Sequence, residues 1–202
     1  MKKFITLLLL CLTLNAFSQS EALKKIRERN RQANYIIVAF EQIKENKRMP
    51  KPMISNGQFR YAKGKGLIWE VLVPFPSRAL LVDDAVYIEH DGQWQRDEND
   101  PMNHLAGEVL SELLSGDWQQ LDEAFEERAS EVSANGDWRV TLQTTNSWLA
   151  KSIDHIVLAG NANLEQVAVY GRKGNVSRLK FNGFLYQNTP LTAEQEREFD
   201  HH

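Results

Sequence analysis

The feature that most restricts the fold is a long succession of short segments in which apolar and polar residues alternate. In one of them, Phe59 and Tyr61 alternate with Gln58 and Arg60. A period of two places successive side chains on opposite faces of a β-strand. Several of these segments are joined by short glycine-bearing turns such as Asn135-Gly136, which connect antiparallel neighbours. The chain is therefore predicted to form an antiparallel sheet.

Helical spacing of apolar residues occurs before, within and after this series. The predicted strands are Tyr35–Lys44, Ser55–Ala62, Leu67–Val73, Ala79–Val82, Ala85–His90, Gln93–Arg96, Glu126–Ser133, Trp138–Thr144, Ile153–Leu158, Leu164–Tyr170 and Val176–Gln187. The predicted helices are Glu21–Ala33, Leu105–Leu114, a short helix within Asp117–Phe125, and a terminal helix or tail over Leu191–Phe199. We expect a mainly β (α+β) fold: one curved sheet of about ten strands that curls or partly closes.

Residues 1–18 differ from the rest of the chain. Lys2 and Lys3 precede an apolar run, and Ala16-Phe17-Ser18 supplies the small residues of a cleavage site, as in a secretory signal peptide. The single cysteine, Cys11, follows Leu10 rather than the small residue that precedes an acylated cysteine, so we expect an exported protein that is not lipidated. With no repeat or low-complexity tract, residues 19–202 are predicted to form a single domain, and we expect a monomer.

Charge and motifs exclude several functions. The chain has 24 basic and 27 acidic residues without a basic block, which argues against a nucleic-acid partner. It lacks a nucleophile elbow, a phosphate-binding loop and a zinc-binding His-Glu-x-x-His motif. His90, His104 and His155 have no metal-ligand spacing. We therefore expect no catalytic residue, no metal and no cofactor. Whether His201 and His202 are native is not decided by the sequence.

The predicted strands are rich in apolar and aromatic side chains. They can form an ordinary core, or they can line a cavity enclosed by a half-closed barrel with the helical insertion folded over its open side. The residues alone leave both possibilities open.

The order of several motifs resembles the LolA family of periplasmic carriers of outer-membrane lipoproteins. The resemblance rests on Phe40-Glu41-Gln42-Ile43-Lys44, Gly57-Gln58-Phe59-Arg60-Tyr61 with a basic turn after it, Gly66-Leu67-Ile68-Trp69, Pro74, Leu80-Leu81-Val82-Asp83, and Ser115-Gly116-Asp117-Trp118-Gln119-Gln120. It implies a half-open β-barrel with a helical lid over an apolar cavity. It also implies an acylated lipoprotein or other lipid as cargo, an inner-membrane transporter that loads it, and an outer-membrane acceptor.

The resemblance assigns roles to particular residues. It places Ile36, Val38, Phe40, Phe59, Tyr61, Leu67, Trp69 and Val71 on the wall of a lipid-binding cavity, and Val109, Leu110, Leu113 and Leu114 on the apolar stripe of the lid. Plain core packing is the alternative for each of them. In the family, an Arg followed by Pro, six positions before the strand Trp, hydrogen-bonds the lid backbone. Here that position is Lys63, followed by Gly64, so Lys63 is either the lid lock or a solvated hairpin lysine.

Three other functions stay open. The first is a lipid acceptor or sensor of the LolB kind, which needs an acylated cysteine or a further domain. The second is a carrier for a dedicated glycolipid or polyene-type lipid, suggested by the departure at Lys63-Gly64. The third is an exported lipid hydrolase, for which the sequence shows no nucleophile constellation.

Overall fold

The computed structural model describes residues 21–82, 85–97 and 101–201. The predicted signal peptide with Cys11, residues 83–84 and His202 lie outside them. The strands are β1 (Tyr35–Glu45), β2 (Met53–Ala62), β3 (Gly66–Val73), β4 (Ser77–Val82), β5 (Ala85–His90), β6 (Gln93–Asp97), β7 (Phe125–Val132), β8 (Trp138–Thr144), β9 (Ile153–Gly160), β10 (Leu164–Gly171) and β11 (Val176–Gln187). The helices are α1 (Glu21–Gln32), α2 (Pro101–Ser115), α3 (Gln119–Ala124) and α4 (Ala193–Arg197), with a 3₁₀ turn at Leu149–Lys151. None of these helices is long and apolar enough to cross a bilayer.

The strands form one antiparallel sheet that does not close. Their order is β6-β5-β4-β3-β2-β1-β11-β10-β9-β8-β7, so that β1 lies between β2 and β11 at the centre. The outermost strands, β6 and β7, do not pair with each other within the described residues. This arrangement confirms the predicted mainly β fold with an open antiparallel sheet and short helices.

Element ends differ from the prediction by a few residues. Helix α2 begins at Pro101, several residues before Leu105, because proline is tolerated in the first turn of a helix. Strand β2 begins at Met53, where it pairs with Lys44 of β1. Phe125 was predicted to end the short helix, but its backbone is extended and begins β7. Its side chain is buried in the core, and this burial outweighs helix propensity at the end of a one-turn helix.

The inner face of the sheet shares one core with α1, α2 and α3. Alternate residues of the central strands, such as Ile36 and Val38 of β1, are fully buried in it. Val86 of β5 and Val140 of β8 lie far apart along the sheet, yet both belong to the core that contains Leu113 of α2. The sheet therefore wraps around α2.

The outer face of the sheet packs against the C-terminal segment. Phe199 is buried there against Tyr35, with the ring centroids 6.4 Å apart. The Tyr35 hydroxyl donates a hydrogen bond to the Glu198 carboxylate at 3.2 Å. Burial and the nearby negative charge of Glu198 raise the pKa of Tyr35 to about 12. Next to this contact, Arg60 pairs with Glu70 at 3.0 Å on neighbouring strands. Glu198 and Phe199 are thus part of the folded domain.

Candidate functional site

Helix α2 lies on the inner face of the sheet, where the sequence predicts a lid. It contacts β2, β3, β4 and β5 as well as α1. Leu110, Leu113 and Leu114 are buried in the inner core, and Val109 packs against that core. The four residues predicted to form the apolar stripe of α2 therefore all face the sheet.

The eight residues predicted to line the cavity wall share the same core as α2. Ile36, Val38, Phe40, Phe59, Tyr61 and Leu67 are buried in it, and Trp69 and Val71 are partly buried against it. Most of the space between them is filled by their own rings. The centroids of Phe40 and Phe59 are 4.6 Å apart, and those of Phe59 and Trp69 are 5.2 Å apart. Their contact with a cargo stays a prediction.

A small apolar cavity remains between α2 and the sheet. Its volume is about 170 Å³. It is lined by Gln42, Trp69, Val109, Leu110, Ile153, Ile156, Val167, Val169, Asn175, Ser177 and Leu179. Three of the predicted site residues, Trp69, Val109 and Leu110, are among them. The other predicted wall residues do not line this cavity, and Tyr61 instead borders a separate polar depression between β2 and the C-terminal end of α2.

Sequence reasoning missed the part of the cavity formed by β9, β10 and β11. Val167 and Val169 alternate along β10, and Leu179 of β11 lies directly opposite Val167. This alternation could have identified an inward face. It could not have shown that the face lies across α2 from Trp69, because that contact depends on how far the sheet curls.

A few polar groups lie beside the apolar wall. The buried amide of Gln42 donates a hydrogen bond to the Ser177 hydroxyl at 3.3 Å. The indole Nε1–H of Trp69 is buried without a hydrogen-bond partner among the described residues. An unpaired buried donor is costly, so a ligand with a carbonyl oxygen at this point would relieve that cost. No group of three or more His, Asp or Glu side chains suited to a metal ion occurs in the described part of the chain.

A second and larger depression does not fit the same kind of ligand. It has a volume of about 690 Å³ and lies across β7 to β11. Its lining includes Glu131, Asp137, Glu165 and Lys180, so it is an open and largely polar groove. An apolar chain placed there would stay in contact with water, and we therefore assign the candidate site to the smaller cavity.

The C-terminal end of α2 is held by α1. The buried side chain of Asn30 donates a hydrogen bond to the carbonyl of Leu113 at 2.9 Å. The Arg27 guanidinium donates to the carbonyl of Gly116 at 3.3 Å. Gly116 has a φ of +73°, and a Cβ there would lie 2.3 Å from the Arg27 carbonyl oxygen. We call these four residues the α1–α2 latch. They satisfy helix-end carbonyls that have no partner within the helix.

Lys63 is placed next to α1 rather than α2. Its ammonium group donates to the carbonyl of Arg31, at the end of α1, over 2.9 Å. Tyr61, at the same end of β2, lies near Ser115, the last residue of α2, and near Asp117. Burial and the negative charge of Asp117 raise the pKa of Tyr61, and the hydrogen bond with Ser115 offsets only part of that rise. Lys63 therefore bonds to α1, whereas Asn30 and Arg27 donate hydrogen bonds to carbonyls at the C-terminal end of α2. The role of Lys63 as a lid lock stays a prediction.

Comparisons with known proteins identify the fold and the family. A family model described as outer membrane lipoprotein carrier protein LolA-like matches residues 16–197. A crystal structure of a LolA superfamily protein from Nitrosomonas europaea is 10% identical, with a TM-score of 0.50 over 84% of this chain and 93% of that one. A putative outer membrane lipoprotein-sorting protein domain from Vibrio parahaemolyticus is 13% identical, with a TM-score of 0.45 over 87% and 96%. The MucA/MucB complex of Pseudomonas aeruginosa is 15% identical, with a TM-score of 0.44 over 87% and 59%. The search of curated protein sequences found no match.

The family model spans nearly the whole of the described chain, including both helices of the latch and every strand of the sheet. The Nitrosomonas structure has the same fold at low sequence identity. This chain belongs to the family of LolA-like outer-membrane lipoprotein carrier proteins.

Proposed function

We propose that this protein is a periplasmic carrier that shields the acyl chains of a lipoprotein, or of a related lipid, between α2 and the sheet during transfer from the inner to the outer membrane. The observation that carries the proposal is the apolar cavity under α2 in a chain of the LolA-like family. An inner-membrane transporter that loads the cargo and an outer-membrane acceptor belong to the same proposal.

The size of the cavity determines how such a carrier would work. An engineered protein cavity of about 150 Å³ holds one benzene molecule, so about 170 Å³ accommodates only a short segment of an acyl chain. Each additional methylene shielded from water contributes about 0.8 kcal/mol. A cargo with several acyl chains therefore requires α2 to move away from the sheet. In the structure described here, α2 lies against the sheet.

The walls fit an acyl chain with a polar linkage at its end. Val167, Val169 and Leu179 supply an apolar surface, and contact with it requires no hydrogen bond from the acyl chain. Gln42 and the indole donor of Trp69 lie beside it and suit the carbonyl of an ester or amide. Such a site favours acylated molecules in general and gives little discrimination among their head groups.

Binding of a fluorescently labelled triacylated peptide tests the proposal. Val169→Phe would fill the cavity and should lower the affinity, whereas Val132→Phe adds the same ring to an exposed site on β7 and should leave it unchanged. A carrier releases the peptide chemically intact, which mass spectrometry would verify, while a hydrolase would release products. Equal binding by wild type and Val169→Phe would contradict the proposed site.

The natural cargo can be identified from the cell envelope. Mass spectrometry of molecules that copurify with the protein, released gently from the periplasm, should find acylated lipoproteins. A glycolipid or polyene-type lipid in their place would keep the carrier function and change the cargo. Copurification of no lipid under conditions in which the labelled peptide binds would argue against a role in transfer.

A further inference from the structure

Six large apolar side chains are exposed together at one end of the sheet. They are Met49, Met53, Ile54, Leu72, Val73 and Phe75. Phe75 is the most exposed of them, at 77%. Single exposed apolar residues are common on protein surfaces, but a cluster of this size marks an interaction site.

The strand register explains why the cluster projects from the sheet. The pairing of β2 with β3 ends at Asn56 and Val73, so Met53 and Ile54 extend beyond the end of β3. Strand β4 pairs with β3 only as far as Val71, so residues 72–76 extend beyond β4. Prolines at 50, 52, 74 and 76 lack the backbone donor needed to continue the ladder. Both connections therefore leave the sheet at the same end.

The same end is strongly basic. Lys44, Lys47, Arg48 and Lys51 are exposed, and none of them forms an ion pair with another described residue. The one acidic residue in this stretch, Glu45, is paired with Arg178 at 2.9 Å. The turn at Gly174 of the β10–β11 hairpin lies against the Lys47 side chain and follows Lys173. This concentration of positive charge contrasts with a net charge of −3 for the whole chain.

We propose that this basic apolar end, residues 44–54 and 72–76, docks on an anionic lipid surface, with Phe75 entering the interface and the lysines contacting lipid phosphates. Apolar insertion together with a polybasic patch is the pair of signals that reversible membrane binding requires. A second copy of the chain would be a poorer occupant, because a two-fold contact would place these cations against one another. The docking does not depend on which cargo is carried.

The position of the cavity connects the proposed docking with the proposed carrier function. Gln42 of the cavity wall lies two residues before Lys44 on β1, and the wall residues Asn175 and Ser177 directly follow the turn that contacts Lys47. The polar end of the cavity wall and the basic apolar end therefore belong to the same end of the sheet. A protein docked in this way presents the polar side of its cavity toward the lipid surface.

Co-sedimentation with vesicles tests the proposal. The protein should bind vesicles of phosphatidylcholine mixed with phosphatidylglycerol, and binding should fall as sodium chloride rises from about 0.05 to about 0.5 M. Phe75→Ser should weaken binding by about tenfold, because one large apolar side chain no longer enters the interface. A combined Lys47→Gln, Arg48→Gln and Lys51→Gln variant should remove the preference for the anionic vesicles.

Exposure-matched controls separate docking from a general loss of apolar surface. Leu185→Ser and Val132→Ser alter residues that are 65% and 61% exposed and lie away from this end, and both should bind like the wild type. Binding that is absent for both vesicle types, or that the controls weaken as much as Phe75→Ser, would overturn the proposal. So would concentration-dependent dimerisation, measured by sedimentation velocity without lipid, that Phe75→Ser abolishes. Because Phe75 does not line the cavity, Phe75→Ser should leave triacylated-peptide binding in solution unchanged, and that assay reports on the carrier function separately.

Discussion

The hydrogen bond from Asn30 to Leu113 offers the sharpest test of how α2 is held. The last backbone bond of α2 runs from the Gly116 amide to the Glu112 carbonyl, so the Leu113 carbonyl depends on the Asn30 side chain. Asn30 is 2% exposed, and water cannot readily replace it. Asn30→Ala would leave a buried carbonyl without a partner, at a cost of about 1 to 3 kcal/mol.

This free-energy cost raises the population of molecules in which α2 is detached from α1. At about 1.4 kcal/mol per tenfold change, α2 should detach from α1 between about 5 and 150 times more often. Alanine is a better helix former than asparagine by at most about 0.7 kcal/mol, which offsets only part of the effect. Asn30→Asp keeps the size of the side chain and removes the donor, and it should weaken the contact at least as much as Asn30→Ala because its carboxylate oxygens would face a carbonyl.

Hydrogen exchange measured by mass spectrometry checks this expectation. Peptides from α2 should exchange faster in both variants, while peptides from β1 serve as the internal reference for global opening. Gln32→Ala is the matched control, because Gln32 lies on the same helix, is exposed, and its side chain bonds to the exposed Glu28 rather than to α2. If α2 and β1 exchange faster by the same factor, or if α2 does not change, the latch does not govern the motion of α2.

Three further predictions follow from the described contacts. Gly116→Ala should lower the free energy of unfolding by more than Gly92→Ala does. Both glycines have a positive φ, but only at Gly116 would the new Cβ meet backbone atoms. Urea unfolding of the two variants measures the difference. The contribution of Tyr35 to stability should be constant below pH 10 and fall as the pH rises from 10 toward 12, because the raised pKa of Tyr35 favours its neutral form in the folded state. Tyr35→Phe should therefore flatten the decline in this range in urea titrations at each pH. Phe199→Ala should cost about 3 kcal/mol in chemical unfolding, because Phe199 is buried against Tyr35 on the outer face, whereas a change within 0.5 kcal/mol would mean that the C-terminal segment contributes little.

The local pattern of the chain was sufficient to predict its strands. The alternation of Phe59 and Tyr61 with Gln58 and Arg60 gives the face of β2 directly, since the period of a strand is fixed by its backbone geometry. The apolar spacing of Leu110, Leu113 and Leu114 likewise gives the face of α2. These are short-range properties, and the structure agrees with them.

The latch and the cavity depend on distant contacts that no local pattern contains. Asn30 lies on α1, where Leu23 and Ile26 are also buried. Nothing nearby in the sequence shows that the Asn30 amide meets a carbonyl 83 residues away. The family resemblance predicts a role for Lys63 because it lies six positions before Trp69. In the folded protein its ammonium group ends at the carbonyl of Arg31. The cavity formed by β9 to β11 was missed for the same reason.

The two unpaired outer strands have a consequence for the capacity of the interior. In a closed cylinder of strands, any widening must break or shear the ladder somewhere around the ring. In the described ranges, β6 and β7 are not paired with each other, so the sheet can uncurl slightly at its margins while each pair of neighbours keeps its register. The exposed margin of β7 carries Glu126 and Arg128, and charged side chains on a free strand discourage a foreign strand from adding to it. The open sheet thus allows the interior to widen, and the charged side chains at its edge disfavour aggregation.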